Sequence, residues 1–420
     1  MVARERWRMS RSGTTEFTVN AVGVIGLCFV LNTLARGNGE TFGVFYGPLL
    51  NDLGWGRAST ASLYSVFMIA LGLSGPVIGA LFDRYGPRLI YVSGLLAYGA
   101  GFLIASRMEV LWHGWLGLGV LGGYGAAATG MTPATGILSR WFERNMAFAI
   151  SFAYAGFAFG SLLLAPLSGW MIDEHGWRWT YRVLGCALIG LGVGVALLPW
   201  RSIASGIKPA PAPRPFLPGR EVFGRLGFWG LFAIFFLTSV TTYVVQVQSV
   251  LYLQEVGYTR VTATLVFGLN AALSVIGIVG AGWLSDRIGQ RKTATLSYCL
   301  TITGIMALMM LGDGPSPIFL GLFLLCFGGA MGSRGPVISS LTARLFDGQI
   351  GAVFGMITIG LGLGGAVGAW LAGYLHEATG GYATSLSVAA AASLCGIIVF
   401  WTVPDLAGRR PVQAPVAPPG

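Results

Sequence analysis

Gly79-Ala80-Leu81-Phe82-Asp83-Arg84-Tyr85-Gly86-Pro87-Arg88 returns 203 residues later as Gly282-Trp283-Leu284-Ser285-Asp286-Arg287-Ile288-Gly289-Gln290-Arg291. Among the positions kept are two glycines, which permit a tight turn and close backbone approach, and an Asp with two Arg. Other landmarks recur at almost the same interval. Arg140 and Phe142 return as Arg344 and Phe346, Gly156 and Gly160 as Gly360 and Gly364, and Gly169 as Gly373, each 204 residues on. A near-constant offset over four landmarks reads as a tandem duplication. Between the copies lies Ile207-Lys208-Pro209-Ala210-Pro211-Ala212-Pro213-Arg214-Pro215. Proline removes backbone donors and favours extended chain, so this stretch is a linker between two halves.

Either side of the motif the chain is apolar. It is 54% hydrophobic and 10% charged, with 65 Gly in 420 residues, where a soluble domain is about a quarter charged. Apolar runs cover 18–35, 58–82, 88–106, 110–138, 146–172, 180–199, 227–254, 261–285, 293–312, 316–341, 350–375 and 383–403. About 20 residues at 1.5 Å each cross the ~30 Å hydrocarbon core, and in lipid the backbone must satisfy itself, so these are helices. The expected fold is an all-α membrane protein of twelve transmembrane helices in two pseudo-symmetric six-helix bundles. The expected organisation is an N-tail over 1–17, a first bundle over 18–200, a linker over 201–225, a second bundle over 226–404 and a C-tail over 405–420.

A net charge of +10 in a soluble protein would raise nucleic acid as a partner; here topology accounts for it. With both termini on one side, 19 of the 26 Lys and Arg residues fall on that side and 5 on the other. By the positive-inside rule that side is the cytoplasm, and the expected location is the inner (plasma) membrane, multi-pass, with both termini cytoplasmic. Cys28, Cys186, Cys299, Cys326 and Cys395 all lie in apolar runs without paired or metal-type spacing. There is no nucleophile–base pair, metal cluster or phosphate loop. The reading is therefore not an enzyme, with no cofactor and no nucleic-acid partner.

The duplicated motif, the twelve spans and the central loop resemble the major facilitator superfamily over essentially the whole chain. Glu40-Thr41-Phe42-Gly43-Val44-Phe45-Tyr46, Gly54-Trp55-Gly56-Arg57-Ala58 and Trp141-Phe142-Glu143-Arg144-Asn145-Met146-Ala147-Phe148-Ala149, leading to Gly156 and Gly160, resemble one branch of it. That branch is the monocarboxylate porters and the related oxalate/formate antiporter-like proteins. The resemblance implies proton-linked movement of small carboxylates by alternating access, with the first, fourth, seventh and tenth helices lining the path. The chain departs from that branch in the eighth span, where Thr262 to Leu284 holds no basic residue, and in the eleventh, where Thr358 stands in place of a Lys. The resemblance therefore implies a substrate class and not a particular substrate.

Ionisable groups inside a membrane cost roughly 2.5–3.5 kcal/mol each on insertion scales and generally face a working cavity. Three lie within the spans: Arg36, Glu40 and Arg334, on the first and tenth helices. Arg36 and Glu40 are i,i+4 neighbours that pair if the helix is continuous; Gly37-Asn38-Gly39 could instead break it. Such a pair either orients the helix or works in transport. Arg334 precedes the cytoplasmic Arg344 by 10 residues, or ~15 Å, which places it near the midplane. Its rigid donor fork suits a carboxylate, and Arg36 is a second cationic candidate. Glu40 is the candidate proton carrier, and Tyr124, Tyr243, Gln246 and Asn270 are candidate substrate donors, with Tyr154 and Thr358 weaker ones. Asp83, Arg84, Arg88, Asp286, Arg287 and Arg291 are read as conformational latches. The expected partners are a small organic anion, protons and the lipid bilayer, with the chain working as a monomer. The competing readings are efflux of amphiphilic compounds and a membrane ligand sensor that transports nothing.

Overall fold

The computed structural model describes residues 21–142, 146–205, 219–346 and 350–407. Among them there is no strand. Helix α1 runs over Ala21–Glu40 and Phe42–Leu53, α2 over Arg57–Tyr85 and α3 over Pro87–Ala105. Helix α4 occupies residues 111–141, α5 Met146–His175 and α6 Trp177–Ala196. The second half repeats the order with α7 (Leu226–Val256), α8 (Arg260–Ile288), α9 (Gln290–Met310), α10 (residues 317–345), α11 (Ile350–Thr379) and α12 (Ala383–Thr402). Ten of these are long and apolar enough to cross a membrane as continuous helices. Large side chains such as Ile276, Val279, Ile318 and Leu325 point outward and are exposed, an apolar surface that suits lipid and not water.

The duplication is visible as geometry. α2 joins α3 through Gly86 alone, and α8 joins α9 through Gly289 alone, with φ of 79° and 88°. Each glycine N–H closes the preceding helix, on Phe82 O at 2.9 Å and Ser285 O at 3.1 Å. With ψ near 173° and 155° both sit in a backbone region essentially reserved for glycine. The helix contacts repeat too. α5 crosses α1 with Gly160 against the Thr33 carbonyl, and α11 crosses α7 with Gly364 against the Phe236 carbonyl. A Cβ at either glycine would strike backbone.

α1 is helical through Gly37-Asn38-Gly39, so the interruption does not fall there. It falls at Thr41, whose hydroxyl donates to the Asn38 carbonyl at 2.8 Å. Among the described residues α4 and α10 are also interrupted. α4 has a π-helical segment at Trp115–Leu121 and breaks at Gly130 before its last piece, Met131–Trp141. α10 has a π-helical segment at Leu324–Gly328 and breaks over 331–333 before Arg334–Leu345. Pro133 and Pro336 are each the third residue of the last piece, 203 residues apart. A proline suits that place, because its missing N–H costs nothing in a first turn and its ring disfavours helix running on from the piece above.

The halves meet through α2 with α11, α5 with α8, and α1 with α7. These contacts run toward the end that carries residues 54–56 and 257–259, called here the closed end. Ser65 donates to the Ala366 carbonyl at 2.8 Å, and Gly72 lies against Gly362. The opposite end carries the Gly86 and Gly289 turns. There Met131–Trp141 packs on helices of the first half and Arg334–Leu345 on helices of the second.

Candidate functional site

Glu40 ends the first piece of α1 and is 4% exposed. Two tyrosine hydroxyls reach its carboxylate: Tyr64 donates to Oε2 at 3.3 Å and Tyr243 to Oε1 at 3.2 Å. Tyr64 belongs to α2 of the same half, while Tyr243 belongs to α7 of the other. Aromatic contacts hold the donors in place, since the Tyr64 ring stacks on Phe42 and Phe67 and meets Tyr243 at 5.5 Å. A buried carboxylate needs such donors, because an unsolvated charge without hydrogen bonds is costly. Beside it is a small cavity lined by Asn38, Thr41, Tyr64, Phe67 and Tyr98 among others. The buried Asn38 Oδ1 has no hydrogen-bond partner, a polar wall of the kind that holds a water molecule. The Arg36 side chain lies outside the described residues.

Arg334 opens the last piece of α10 and is 2% exposed. Its Nη1 donates to Thr301 Oγ1 at 3.2 Å, and its guanidinium carbon sits 4.4 Å from the centre of the Tyr298 ring. Both partners are on α9, and the Tyr298 hydroxyl is in turn fixed by Thr238 of α7 at 2.8 Å. The ring face attracts the cation. Its Nε is buried with no hydrogen-bond partner, and among the described residues no carboxylate pairs with it. A helix N-terminus already carries partial positive charge. Buried guanidinium and helix end thus add positive on positive, an arrangement that an anion would relieve.

The remaining candidates are dispersed. Tyr124 hydrogen-bonds Ser93 of α3 at 2.9 Å and so stays within its own half. Gln246 and Asn270 are buried, each with a side-chain oxygen lacking a partner, and Asn270 Oδ1 faces Gly328 in the π-helical segment of α10. Thr358 donates to Phe354 O in its own helix, and the Tyr154 side chain lies outside the described residues. The structure thus assembles two clusters, Glu40–Tyr64–Tyr243 and Arg334–Tyr298–Thr301, with no hydrogen bond or ion pair between them among the described residues.

At the motif turns Asp83, Arg84 and Arg88 are exposed, and Asp83 makes no ion pair among the described residues. Arg84 lies over the Tyr85 ring at 5.2 Å and Arg287 over Trp283 at 4.0 Å. Arg291 reaches the Val403 carbonyl at 3.5 Å and the Trp401 ring at 5.0 Å. The Asp286 side chain lies outside the described residues.

Sequence reasoning passed over Tyr64, Tyr298 and Thr301, and nothing in one dimension sets them apart from other buried polar residues. It also passed over the paired prolines, which the 203-residue offset does reveal. Discontinuous helices at corresponding places in two halves are the backbone signature of a transport site, and α10 carries its buried charge at such a break.

Comparison with known proteins agrees with this architecture. The profile of the Major Facilitator Superfamily matches residues 25–348. Monocarboxylate transporter 13 of Bos taurus is 28% identical over 387 residues, covering 91% of this chain and 88% of its own length. Monocarboxylate transporter 11 of Homo sapiens is 28% identical over 399 residues, covering 91% of this chain and 82% of that protein. Among solved structures, a mutant of the nucleoside transporter NupG superposes with a TM-score of 0.74 at 14% identity, over 90% of this chain and 99% of that one; at that identity the likeness concerns the fold alone.

Proposed function

The chain belongs to the Major Facilitator Superfamily, and from that premise we propose that it moves small organic anions, monocarboxylates in particular, by proton-coupled alternating access. It is a multi-pass membrane transporter and not an enzyme. The observation that carries the substrate class is Arg334, a buried guanidinium at a helix break with no carboxylate partner among the described residues. A carboxylate entering there would accept from a planar donor fork and discharge the excess positive potential of the helix end. The names of the two relatives support the same class.

The carrier of the coupled proton in this reading is Glu40. Its two tyrosine donors come from opposite halves, so separating the halves at the closed end removes one donor and admits water. Ionisation and closure are linked by that geometry. The charge bias of the loops makes the closed end the outer face and the state a cytoplasm-facing one. In this reading Asp83, Arg84 and Arg88, with Asp286, Arg287 and Arg291, form latches that engage when the other end closes, and the chain acts as a monomer.

Purified protein in vesicles, with pH inside and outside set independently, tests the reading. An inward proton gradient should drive uptake of short-chain monocarboxylates above equilibrium, and Arg334→Ala should abolish it. Stabilisation by carboxylates without any flux would identify a sensor instead, and flux of amphiphilic compounds that tolerates Arg334→Ala would identify an efflux pump.

A further inference from the structure

We propose that the closed end is held by two unequal copies of one ionic clasp, and that Tyr382 is the residue that makes them unequal. Four stations recur at the repeat interval. Asp52 corresponds to Glu255 and Arg57 to Arg260, each at 203 residues; Asp173 corresponds to Glu377 and Arg178 to Tyr382, each at 204. They stand at matching places: the end of α1 or α7, the start of α2 or α8, the end of α5 or α11, and the start of α6 or α12. Charge sign is kept at three stations and lost at the fourth.

The first clasp grips Arg57. Its Nη2 meets Glu255 Oε1 at 2.7 Å, its Nη1 donates to the Tyr382 hydroxyl at 2.7 Å, and that hydroxyl donates to Glu255 Oε2 at 2.8 Å. Beside it, Glu377 Oε1 accepts the Ala58 N–H at 3.2 Å. All three acidic and phenolic partners come from the second half. The second clasp is a single pair, Arg260 with Asp173 at 3.0 Å. Asp52, the counterpart of Glu255, takes no part in it. It is held within its own half by Arg178 at 3.0 Å and by the Trp177 indole N–H at 3.1 Å.

The cause lies in the fourth station. Arg178 neutralises Asp52 at home, so Asp52 has no charge to spend across the interface. Tyr382 offers Glu255 an O–H but no charge. Burial pushes the pKa of this phenol up, against the opposing pull of Arg57, so it remains a neutral donor. Glu255 therefore carries its charge across to Arg57, and the first clasp holds the halves more tightly than the second.

Spin labels at the exposed positions Asn51 and Thr379, in a background with the five cysteines replaced, read the separation of the halves by pulsed dipolar spectroscopy in lipid nanodiscs. Tyr382→Arg supplies Glu255 with a partner in its own half and repels Arg57. It should raise the ratio of open to closed distances by about fivefold, the upper scale of one partly exposed ion pair. Tyr382→Phe, which keeps the ring and loses only the bridging hydroxyl, should shift the ratio in the same direction by less. Glu255→Gln should open the end as well, and adding Arg178→Tyr to it should close the end again, because Asp52 is then released to Arg260. Opposite signs at equivalent positions are an outcome that general destabilisation does not produce. An unchanged ratio in Tyr382→Arg, or further opening on adding Arg178→Tyr, overturns the proposal.

Discussion

Tyr243→Phe and Tyr64→Phe remove chemically identical donors from one carboxylate, at 3.2 and 3.3 Å, yet they should have different mechanical effects. Each substitution keeps the ring and its packing and deletes one hydroxyl. The bonds are longer than an O–H donor prefers, so each contributes about 1 kcal/mol, below the usual range for an ionised acceptor and in the middle of that for a neutral one. Tyr64 and Glu40 belong to the same half and stay together whether or not the halves part, so their bond leaves the balance between states unchanged. The Tyr243 bond spans the halves and exists only when the end is closed. Its loss should multiply the open-to-closed ratio by about fivefold, the factor that corresponds to 1 kcal/mol, while Tyr64→Phe should leave it within experimental scatter. The same spin-label pair measures both. Equal shifts in the two variants, or none in Tyr243→Phe, would refute the idea that Glu40 ties closure of the halves to its own hydrogen bonding.

Glu40→Gln should abolish accumulation driven by a proton gradient while exchange of substrate without a gradient survives, because exchange never needs the proton released; reconstituted vesicles measure both. Arg334→Lys should impair uptake nearly as much as Arg334→Ala, since a lysine supplies charge without the fork. Arg334→Met should lose uptake and yet match or exceed the native apparent Tm, because an uncompensated buried charge is replaced by an apolar chain of similar length; a large fall in Tm would make the residue structural. Gly160→Val and Gly364→Val should each cost about 1–3 kcal/mol by overpacking against the Thr33 and Phe236 carbonyls, and thermal unfolding should show similar losses for both.

Much of this molecule is legible along the chain, for a reason that concerns lipid more than this sequence. A bilayer admits few backbone solutions, so run length and composition convert directly into helices. The breaks were harder to see. Glycines at 37 and 39 suggest an interruption, but helix continues through them, because glycine weakens a helix by only about 1 kcal/mol and the surrounding helices hold this one. The breaks in α4 and α10 each lie just before a piece with proline at its third residue, whereas Pro48, Pro76 and Pro166 sit inside continuous helix, so proline alone does not decide where a membrane helix breaks.

By itself the sequence determined the helical membrane class, the doubling of the fold, the turns at Gly86 and Gly289, and the short list of charges in the spans. Each of these depends on local composition or on a repeat interval, and both are properties of one dimension. Only the tertiary structure decided what those charges touch. Glu40 meets Tyr243 across 203 residues and Arg57 meets Glu255 across 198, contacts made where two bundles close on each other. Arg334 turns onto Tyr298 and Thr301 of α9. A helix with apolar residues on every side carries no amphipathic stripe to say which way a buried side chain points, so its direction is set by the neighbours that packing supplies.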